Sequence, residues 1–397
     1  MLVGVARPPG GPISACPKLR RALWVALSAA CDPRTPAPRD TTGGDDTDAG
    51  ECLVQQVLAG VRQADVAVDV DGRAAIAYVE GDLGSVVLLR CRDASCWRSE
   101  TTVLQACGPA GCEHPSVVID GEGRPLVAFI DHDVGVVRFA RCVDEACASA
   151  TVHSLSGESG WGTDIVLDPD GLPVVAWGGL QLARCADPAC EASEVWILED
   201  RDGGLPALAL DSGGRPRIAT VTYDGLDGHH AWNDCRVDLY ACDDAACGSV
   251  ANTRFGDCPD PTASPIDLVL GAGGLPLVAL GRDLVVCADD TCAVRQVVTL
   301  EVGFTTAVAL ALAPGGLPVV AYALADQPLE GAALRVAHCR DAACAGADVV
   351  PWATEMAEVA QASLAIAPDG AGALATTAKG DPWPLDLSAW RTGECLP

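Results

Sequence analysis

Paired cysteines are the residues of this chain with the clearest capacity for chemistry. Twelve of its 20 cysteines form six copies of the motif Cys-x-Asp-x-x-Cys. Such pairs could form disulfides in an oxidising compartment or supply thiolates to zinc. The copies lie far apart along the chain and lack the two-residue spacing usual in zinc sites, which favours one disulfide per copy. The predicted pairs are Cys91/Cys96, Cys142/Cys147, Cys185/Cys190, Cys242/Cys247, Cys287/Cys292 and Cys339/Cys344.

The aspartate inside each copy has two possible roles. It could accept hydrogen bonds from the backbone of its own turn, or it could be one of several acids shared by calcium. The first role is favoured, and calcium stays the alternative cofactor in a chain for which none is otherwise predicted. The aspartates assigned to this position are Asp93, Asp144, Asp187, Asp243, Asp289 and Asp341.

Two polar segments outside the motif are candidate ligand sites. An insertion after Tyr223 brings together acids, imidazoles and an indole, which could bind a metal or stack on a sugar. A solvent-exposed polar loop, stapled by a Cys235–Cys258 disulfide, is the competing interpretation. Asp131 and His132 form a weaker candidate, and His114 is treated as incidental. The candidate residues of the insertion are Asp224, Asp227, His229, His230, Trp232 and Asp234.

A repeat of about 50 residues must position these groups. Each copy consists of an apolar run, a turn ending in glycine and a second apolar run, as in VVIDGEGRPLVAF from Val117. Glycine at the fourth position of the turn suits the left-handed conformation that closes a hairpin. A third and a fourth strand follow, the latter after the cysteine motif. The aligned glycines are Gly72, Gly123, Gly171, Gly214, Gly274, Gly316 and Gly370.

Seven units of four antiparallel strands predict an all-β, seven-bladed β-propeller. A ring of six or eight blades and an open β-solenoid are the alternatives. The segment from Cys52 resembles a lone fourth strand, so we expect it to complete the last blade and close the ring through a Cys52–Cys395 disulfide. Cys107 and Cys112 are predicted to pair within one loop. The hairpin turns and cysteine motifs fall on one face of the disc (the turn face), and the longer, more variable loops fall on the other (the insertion face).

The N-terminal segment predicts export. Lys18, Arg20 and Arg21 precede an apolar run that is too short to span a bilayer. The sequence Ser-Ala-Ala-Cys31 resembles a bacterial lipobox, in which the cysteine carries lipid, although Ser28 stands where an aliphatic residue is usual. Cleavage after Ala30 by an ordinary signal peptidase is the alternative. The predicted organisation is a signal peptide over 1–30, a Pro/Gly-rich acidic tether over 31–50 and the propeller over 51–397.

Charge and missing motifs limit the function. The net charge of −28 leaves no basic footprint, so nucleic acid is excluded as a partner. Gly-x-Ser-x-Gly, His-Glu-x-x-His and phosphate-binding glycine loops are absent from the sequence. Sialidase propellers carry Ser-x-Asp-x-Gly-x-x-Trp boxes, and the turns here match those boxes only in Asp and Gly.

From Cys52 to Pro397 the chain resembles the cysteine-paired propeller repeats of bacterial surface lipoproteins. That resemblance implies a fold and no activity. We therefore expect a monomer at the cell envelope, anchored in the outer membrane or at the cell surface by lipid on Cys31, or else periplasmic or secreted. Its expected role is a binding or scaffold module for a protein or glycan ligand. A hydrolase or lyase of extracellular polysaccharide is the alternative.

Overall fold

A computed structural model provides the three-dimensional description. The chain divides into two units, Met1–Thr47 and Asp48–Pro397. The structure describes part of the second unit, namely residues 54–81, 84–155, 160–178, 180–198, 203–223, 235–257, 266–325, 332–356, 359–378 and 384–390. Among these residues, no helix is both long and apolar enough to cross a bilayer.

Within the described ranges, twenty-eight strands form seven four-stranded antiparallel sheets, which are the blades of a seven-bladed propeller. The first strand, β1, covers Val54–Ala59. Blade one contains β2 (Val61–Val68), β3 (Ala74–Glu80), β4 (Ser85–Cys91) and β5 (Ser99–Gln105). Blade two contains β6 (Cys112–Ile119), β7 (Pro125–Asp131), β8 (Val136–Cys142) and β9 (Ala150–Ser154). Blade three contains β10 (Thr163–Leu167), β11 (Pro173–Trp177), β12 (Gln181–Cys185) and β13 (Ser193–Ile197).

Blades four to seven repeat this order. Blade four contains β14 (Gly203–Leu210), β15 (Pro216–Tyr223), β16 (Cys235–Cys242) and β17 (Val250–Asp257). Blade five contains β18 (Ile266–Leu270), a 3-10 turn (Ala272–Gly274), β19 (Pro276–Leu280), β20 (Asp283–Cys287) and β21 (Arg295–Thr299). Blade six contains β22 (Phe304–Leu312), β23 (Pro318–Ala325), β24 (Ala332–Cys339) and β25 (Ala347–Met356). Blade seven contains β26 (Val359–Ile366), β27 (Gly372–Ala378) and β28 (Pro384–Trp390).

The hairpin turn of each blade forms as its sequence predicts. All seven aligned glycines have a positive φ, between 73° and 90°. Each donates its N–H to the carbonyl three residues earlier, as Gly123 does to Asp120 at 2.9 Å. Five of the second strands begin at a proline, where a missing N–H removes no ladder bond. The turn therefore fixes the register of the two innermost strands of each blade.

The core lies between neighbouring blades. Second strands such as β7 and β11 are buried along their whole length, because each is sandwiched between two other sheets. Small and medium aliphatic residues fill most of the space, with a few large side chains such as Trp177 and Phe129 buried among them. Low aromatic content is thus compatible with a well-packed propeller.

The N-terminal strand closes the ring, as the sequence predicts. β1 pairs antiparallel with β28, so that blade seven has the order β26, β27, β28, β1. The chain therefore supplies the outermost strand of its last blade from its N-terminal side. The predicted Cys52–Cys395 disulfide lies outside the described residues, as do Cys31, Cys258 and the pairing of Cys235.

Seven disulfides lie within the described residues, each between cysteines five residues apart. Six join the third strand of a blade to the turn that precedes the fourth, and the seventh, Cys107–Cys112, lies between blades one and two. Because these cysteines are paired, the motifs offer no thiolates to zinc. The six motif disulfides are Cys91–Cys96, Cys142–Cys147, Cys185–Cys190, Cys242–Cys247, Cys287–Cys292 and Cys339–Cys344.

The second cysteine of each motif has a backbone conformation that the sequence analysis did not predict. Its φ is positive, between 51° and 57°, in the left-handed region that favours glycine. Its N–H donates to the carbonyl three residues earlier, as Cys190 does to Asp187 at 3.0 Å. This cysteine therefore closes its turn as glycine closes the hairpin turns, in addition to forming the disulfide. The residues concerned are Cys96, Cys147, Cys190, Cys247, Cys292 and Cys344.

The aspartate of each cysteine motif accepts hydrogen bonds within its own turn. Asp187 Oδ1, for example, accepts from the N–H of Ala189 at 2.8 Å. The assignment in blade four was wrong by one residue: Asp244 Oδ1 accepts from Ala246 and Gly248, whereas Asp243 bonds Ser249. Asp244 occupies the third position of that motif, two residues after Cys242, which explains the correction.

Candidate functional site

A cavity of about 520 Å³ occupies the axis of the propeller. The innermost strands of all seven blades contribute to its wall. Most lining residues belong to the first halves of these strands, which lie toward the insertion face. The residues that line it include Arg62, Gln63, Asp65, Glu113, His114, Ser116, Asp164, Leu205, Ala207, Ile266, Asp267, Val308, Ala360 and Ser363.

One position of the innermost strand links five of the blades to the next blade. This position stands immediately before the apolar run. Where it is aspartate or serine, its side chain accepts the N–H of the first residue of the apolar run in the next blade. Asp65 accepts from Val117 at 2.7 Å and Asp164 from Leu208 at 2.6 Å. Asp267 accepts from Leu310 at 2.7 Å.

Two serines at the same position make the same link. Ser363 Oγ accepts from the N–H of Val66 at 3.0 Å, and Ser116 Oγ accepts from Ile165 at 3.3 Å. Their hydroxyls also bond carboxyls. Ser363 donates to Asp65, and Ser116 Oγ lies 3.1 Å from Asp65 Oδ2 and 3.2 Å from Asp164 Oδ1. These two serines and three aspartates form a hydrogen-bonded layer around the channel (the channel layer), and alanine occupies the position in blades four and six.

The three carboxyls of the channel layer have raised pKa values. Burial raises the pKa of Asp164 to about 8, and the nearby charges of Asp65 and Asp267 add to that rise. Burial likewise raises the pKa of Asp267 to about 7. The pKa of Asp65 is also raised by burial, although hydrogen bonds from Ser363 and Val117 act in the opposite direction. Near neutral pH, protons therefore bind in this cavity.

These three carboxyls differ from the fully buried aspartates in having no cationic partner. The five fully buried aspartates of the described residues each form an ion pair with an arginine. Asp65, Asp164 and Asp267 form none with any described residue. They line the cavity instead. The paired aspartates are Asp69, Asp131, Asp168, Asp211 and Asp238.

His114 lies on the cavity wall closer to the insertion face. Its N–H donates to Gln63 Oε1 at 2.6 Å, and its ring Nδ1 lies 3.4 Å from Gln63 Nε2. Burial lowers the pKa of His114 to about 4 despite the opposing charge of Glu113. At neutral pH the imidazole is therefore uncharged. Its backbone φ of +52° is unusual for a residue other than glycine.

The two predicted candidates in blade two lie next to this histidine. His132 Nε2 is 3.3 Å from Glu113 Oε2, so it adjoins the cavity wall without lining it. Asp131 is buried and accepts from Arg138 Nε at 3.1 Å. Asp131 thus holds its own hairpin, and its carboxylate is not available to a ligand. His132 stays a candidate at the edge of the site.

The other predicted candidates, Asp224, Asp227, His229, His230, Trp232 and Asp234, lie outside the described residues. Sequence reasoning missed the channel layer and treated His114 as incidental. A signal was present, because aspartate or serine precedes the apolar run in five of the seven repeats. Recognising it required knowing that this position faces the axis.

Within the described ranges, no three His, Cys, Asp or Glu side chains come close enough together to hold a metal ion. The channel carboxyls come from blades one, three and five, so at least one blade separates any two of them. Their arrangement suits several hydrogen-bond donors or a distributed positive charge better than one small ion.

Comparisons with known proteins support the fold. No protein-family model matches the sequence, and the search of curated proteins gave no match. A catalytically inactive variant of virginiamycin B lyase from Staphylococcus aureus, solved with quinupristin, is 12% identical, with a TM-score of 0.54, covering 85% of this chain and 98% of that one. The selenomethionine-substituted form of that lyase is 11% identical, with a TM-score of 0.52, covering 85% and 99%.

A third similar structure is Raptor from Chaetomium thermophilum, with 12% identity and a TM-score of 0.54. The match covers 86% of this chain and 29% of Raptor. At such low identities the similarity establishes the seven-bladed fold and transfers no activity.

Proposed function

We propose that this protein is an exported, lipid-anchored binding module that holds a small polar ligand in the axial cavity. The observation that carries this proposal is the cavity itself, which all seven blades line and in which three carboxyls have no cationic partner among the described residues. Its volume of about 520 Å³ falls within the range of small-molecule sites. Seven disulfides support maturation in an oxidising compartment. The anchor at Cys31 rests on the sequence of the leader.

The proposal is tested with a substitution that fills the cavity. Ala360 is a half-buried lining residue of β26, so Ala360→Trp places an indole in the cavity with little disturbance of the core. Val297→Trp on the exposed outer strand β21 is the matched control. We expect the full-length protein and the control to retain the same compounds from a library of glycans, amines and peptides, and Ala360→Trp to lose them. Equal retention by all three proteins would reject the cavity as the site.

Polysaccharide cleavage is a second candidate function, favoured by one observation. Asp164 is protonated and His114 is unprotonated at neutral pH, and both line the cavity. A proton donor and a proton acceptor with well-separated pKa values are what acid–base cleavage requires. Turnover of a polysaccharide that is lost in Asp164→Asn and kept in Asp71→Asn would favour this function over binding alone. Asp71 is an exposed acid on the turn face.

A further inference from the structure

The channel carboxyls lack the partner that the protein gives to its fully buried aspartates. Each fully buried aspartate of the described residues has its own arginine. Half-buried Asp386, which has no arginine among the described residues, likewise has a pKa that burial raises. Asp65, Asp164 and Asp267 receive neutral donors only, namely backbone N–H groups and serine hydroxyls. Carboxylates that share one enclosed space repel one another, which raises the pKa of Asp164 further. A cation in the cavity would relieve that repulsion.

The geometry favours an extended organic cation over a metal ion. Among the described side chains, no three metal-ligating groups converge on one point. The carboxyls instead stand at separate positions around the wall, on β2, β10 and β18. Several ammonium groups on one chain can each approach a different carboxyl, which a single ion cannot do.

The remaining wall is suited to an alkyl chain. Ala207, Ile266 and Val308 line the cavity between the carboxyls. At its edge Leu205 is 42% exposed, and the backbone of Gly162 packs against it so closely that an added Cβ would lie 2.6 Å from Leu205 Cδ2. Leu205 therefore forms an apolar rim of the cavity.

We propose that the axial cavity binds an aliphatic polyamine, whose ammonium groups pair with Asp65, Asp164 and Asp267 and whose methylene segments contact the apolar wall and rim. This inference rests on the proposed binding site and specifies the chemistry of its ligand. Arg62, at the side of the cavity, limits how many ammonium groups can enter. The overall charge of −28 draws such a ligand toward the protein.

Binding is coupled to proton release. An ammonium group favours ionised carboxylates, and the pKa values of Asp164 and Asp267 lie at about 8 and 7. Affinity should rise from pH 6 to pH 8, because fewer protons then need to be displaced. Arg62, Glu113 and His114 are the other charged or titratable side chains on the wall. His114, with a pKa of about 4, stays neutral over this interval.

The test is calorimetric titration of the full-length protein with spermidine at pH 8 and fixed ionic strength. Asp267→Asn should weaken binding at least tenfold. Its amide oxygen can still accept the Leu310 N–H, so the link from blade five to blade six is kept, although the Leu268 N–H loses its acceptor. Asp71→Asn, which removes the same charge from the turn face, should change the affinity less than twofold. Fully acetylated spermidine, which lacks the positive charge, should not bind. Buffers with different ionisation enthalpies should reveal the released protons.

Equal affinity of Asp267→Asn and wild type, or binding of acetylated spermidine as tight as that of spermidine, would overturn the proposal. Thermal unfolding of each variant shows whether it is folded. If the folded wild-type protein does not bind spermidine while Ala360→Trp still abolishes retention of another compound, the polyamine proposal is rejected and the axial cavity remains the binding site. If Ala360→Trp retains every compound that the wild type retains, the cavity is rejected as the binding site.

Discussion

At the scale of single residues, one position of the innermost strand has two roles. Its side chain accepts an N–H of the next blade, and where it is aspartate it also brings a carboxyl to the axis. Asp267 Oδ2, for instance, bonds the N–H of Leu310 while Asp267 lines the cavity. Serine at the position links the blades without adding charge. The number of aspartates therefore sets the acidity of the channel independently of the links.

The raised carboxyl pKa values predict that the protein loses stability as pH rises from about 4 to 8. In the unfolded chain these aspartates ionise near pH 4, whereas the folded protein keeps protons on Asp267 and Asp164 up to about pH 7 and 8. The folded state then holds extra protons, so unfolding becomes easier by about 1.4 kcal/mol per pH unit for each. Denaturant unfolding at several pH values measures this slope.

Asp164→Asn should flatten that slope, and Asp71→Asn should leave it unchanged. Below pH 4 the sign reverses, because hydrogen bonds and ion pairs lower the pKa values of Asp69 and Asp211 in the folded state. Stability that increases steadily from pH 5 to pH 8 would contradict the assignment of protonated carboxyls to the channel.

Ser363→Ala should destabilise the protein by about 1–2 kcal/mol. The change leaves the Val66 N–H without its acceptor and Asp65 without one donor, and an unmade buried hydrogen bond costs about that much. Ser99→Ala, at the exposed start of the outer strand β5, is the matched control and should have an effect below about 0.5 kcal/mol. The two unfolding midpoints at one pH provide the comparison.

At the scale of elements, an ion pair joins the hairpin turn to the third strand in the first three blades. In each of them the turn begins with aspartate and an arginine precedes the first cysteine of the motif. Asp168 Oδ2 accepts from Arg184 Nη1 at 2.8 Å, and Arg184 Nη2 donates to Gly214 O of blade four at 2.7 Å. Blade four keeps the aspartate, Asp211, but has Ala241 before its first cysteine, and there an arginine of the turn itself pairs with the carboxylate. In blade three the ion pair therefore joins two strands of one blade and also contacts the next blade.

Removing one partner of the Asp168–Arg184 ion pair should destabilise the protein by more than the intact pair contributes to its stability. Arg184→Met leaves the carboxylate of Asp168 enclosed and unpaired, and we expect a loss of about 2–4 kcal/mol. Adding Asp168→Asn to that variant removes the unpaired charge while the amide oxygen can still accept the N–H groups of Asp170 and Leu172, so it should restore part of the loss. A double-mutant cycle by chemical denaturation measures the coupling, and strict additivity of the two single effects would contradict it.

The turns also show which elements a sequence can predict. Glycine with a positive φ, proline at a strand start and cysteines five residues apart are local requirements, and each was readable in the repeat. The channel layer depends on which side of the innermost strand faces the axis, which is decided by the packing of seven blades. His114 was missed for a related reason: its partner, Gln63, belongs to another blade.

At the scale of the whole molecule, closure and charge are the main properties. β1 joins β28, so the ring needs both ends of the unit to complete blade seven. Among the described residues, the buried acids of the turn face are paired with arginines, whereas those of the channel are not. This molecule of net charge −28 therefore has acidic side chains along its axis as well as on its surface.

Intact-mass measurement of the exported protein tests the processing predictions together. We expect a mature chain that begins at Cys31 with added lipid, and a mass gain of two hydrogens per disulfide on reduction. Seven disulfides lie within the described residues and Cys235–Cys258 and Cys52–Cys395 are predicted, so nine should be counted. A chain that starts at Cys31 without lipid would contradict the predicted lipid anchor. Free thiols at the cysteines of the six motifs would contradict maturation in an oxidising compartment.

The five-residue separation of the motif cysteines affects how the gene for such a chain can evolve. Both cysteines of each motif disulfide lie in one blade, as Cys142 and Cys147 do, so duplication or deletion of a whole blade adds or removes complete pairs. None of the six motif disulfides needs a thiol from another blade. The number of blades can therefore change in evolution without leaving an unpaired, reactive cysteine. The two thiols of each motif can also form their disulfide as soon as their own blade segment leaves the export channel.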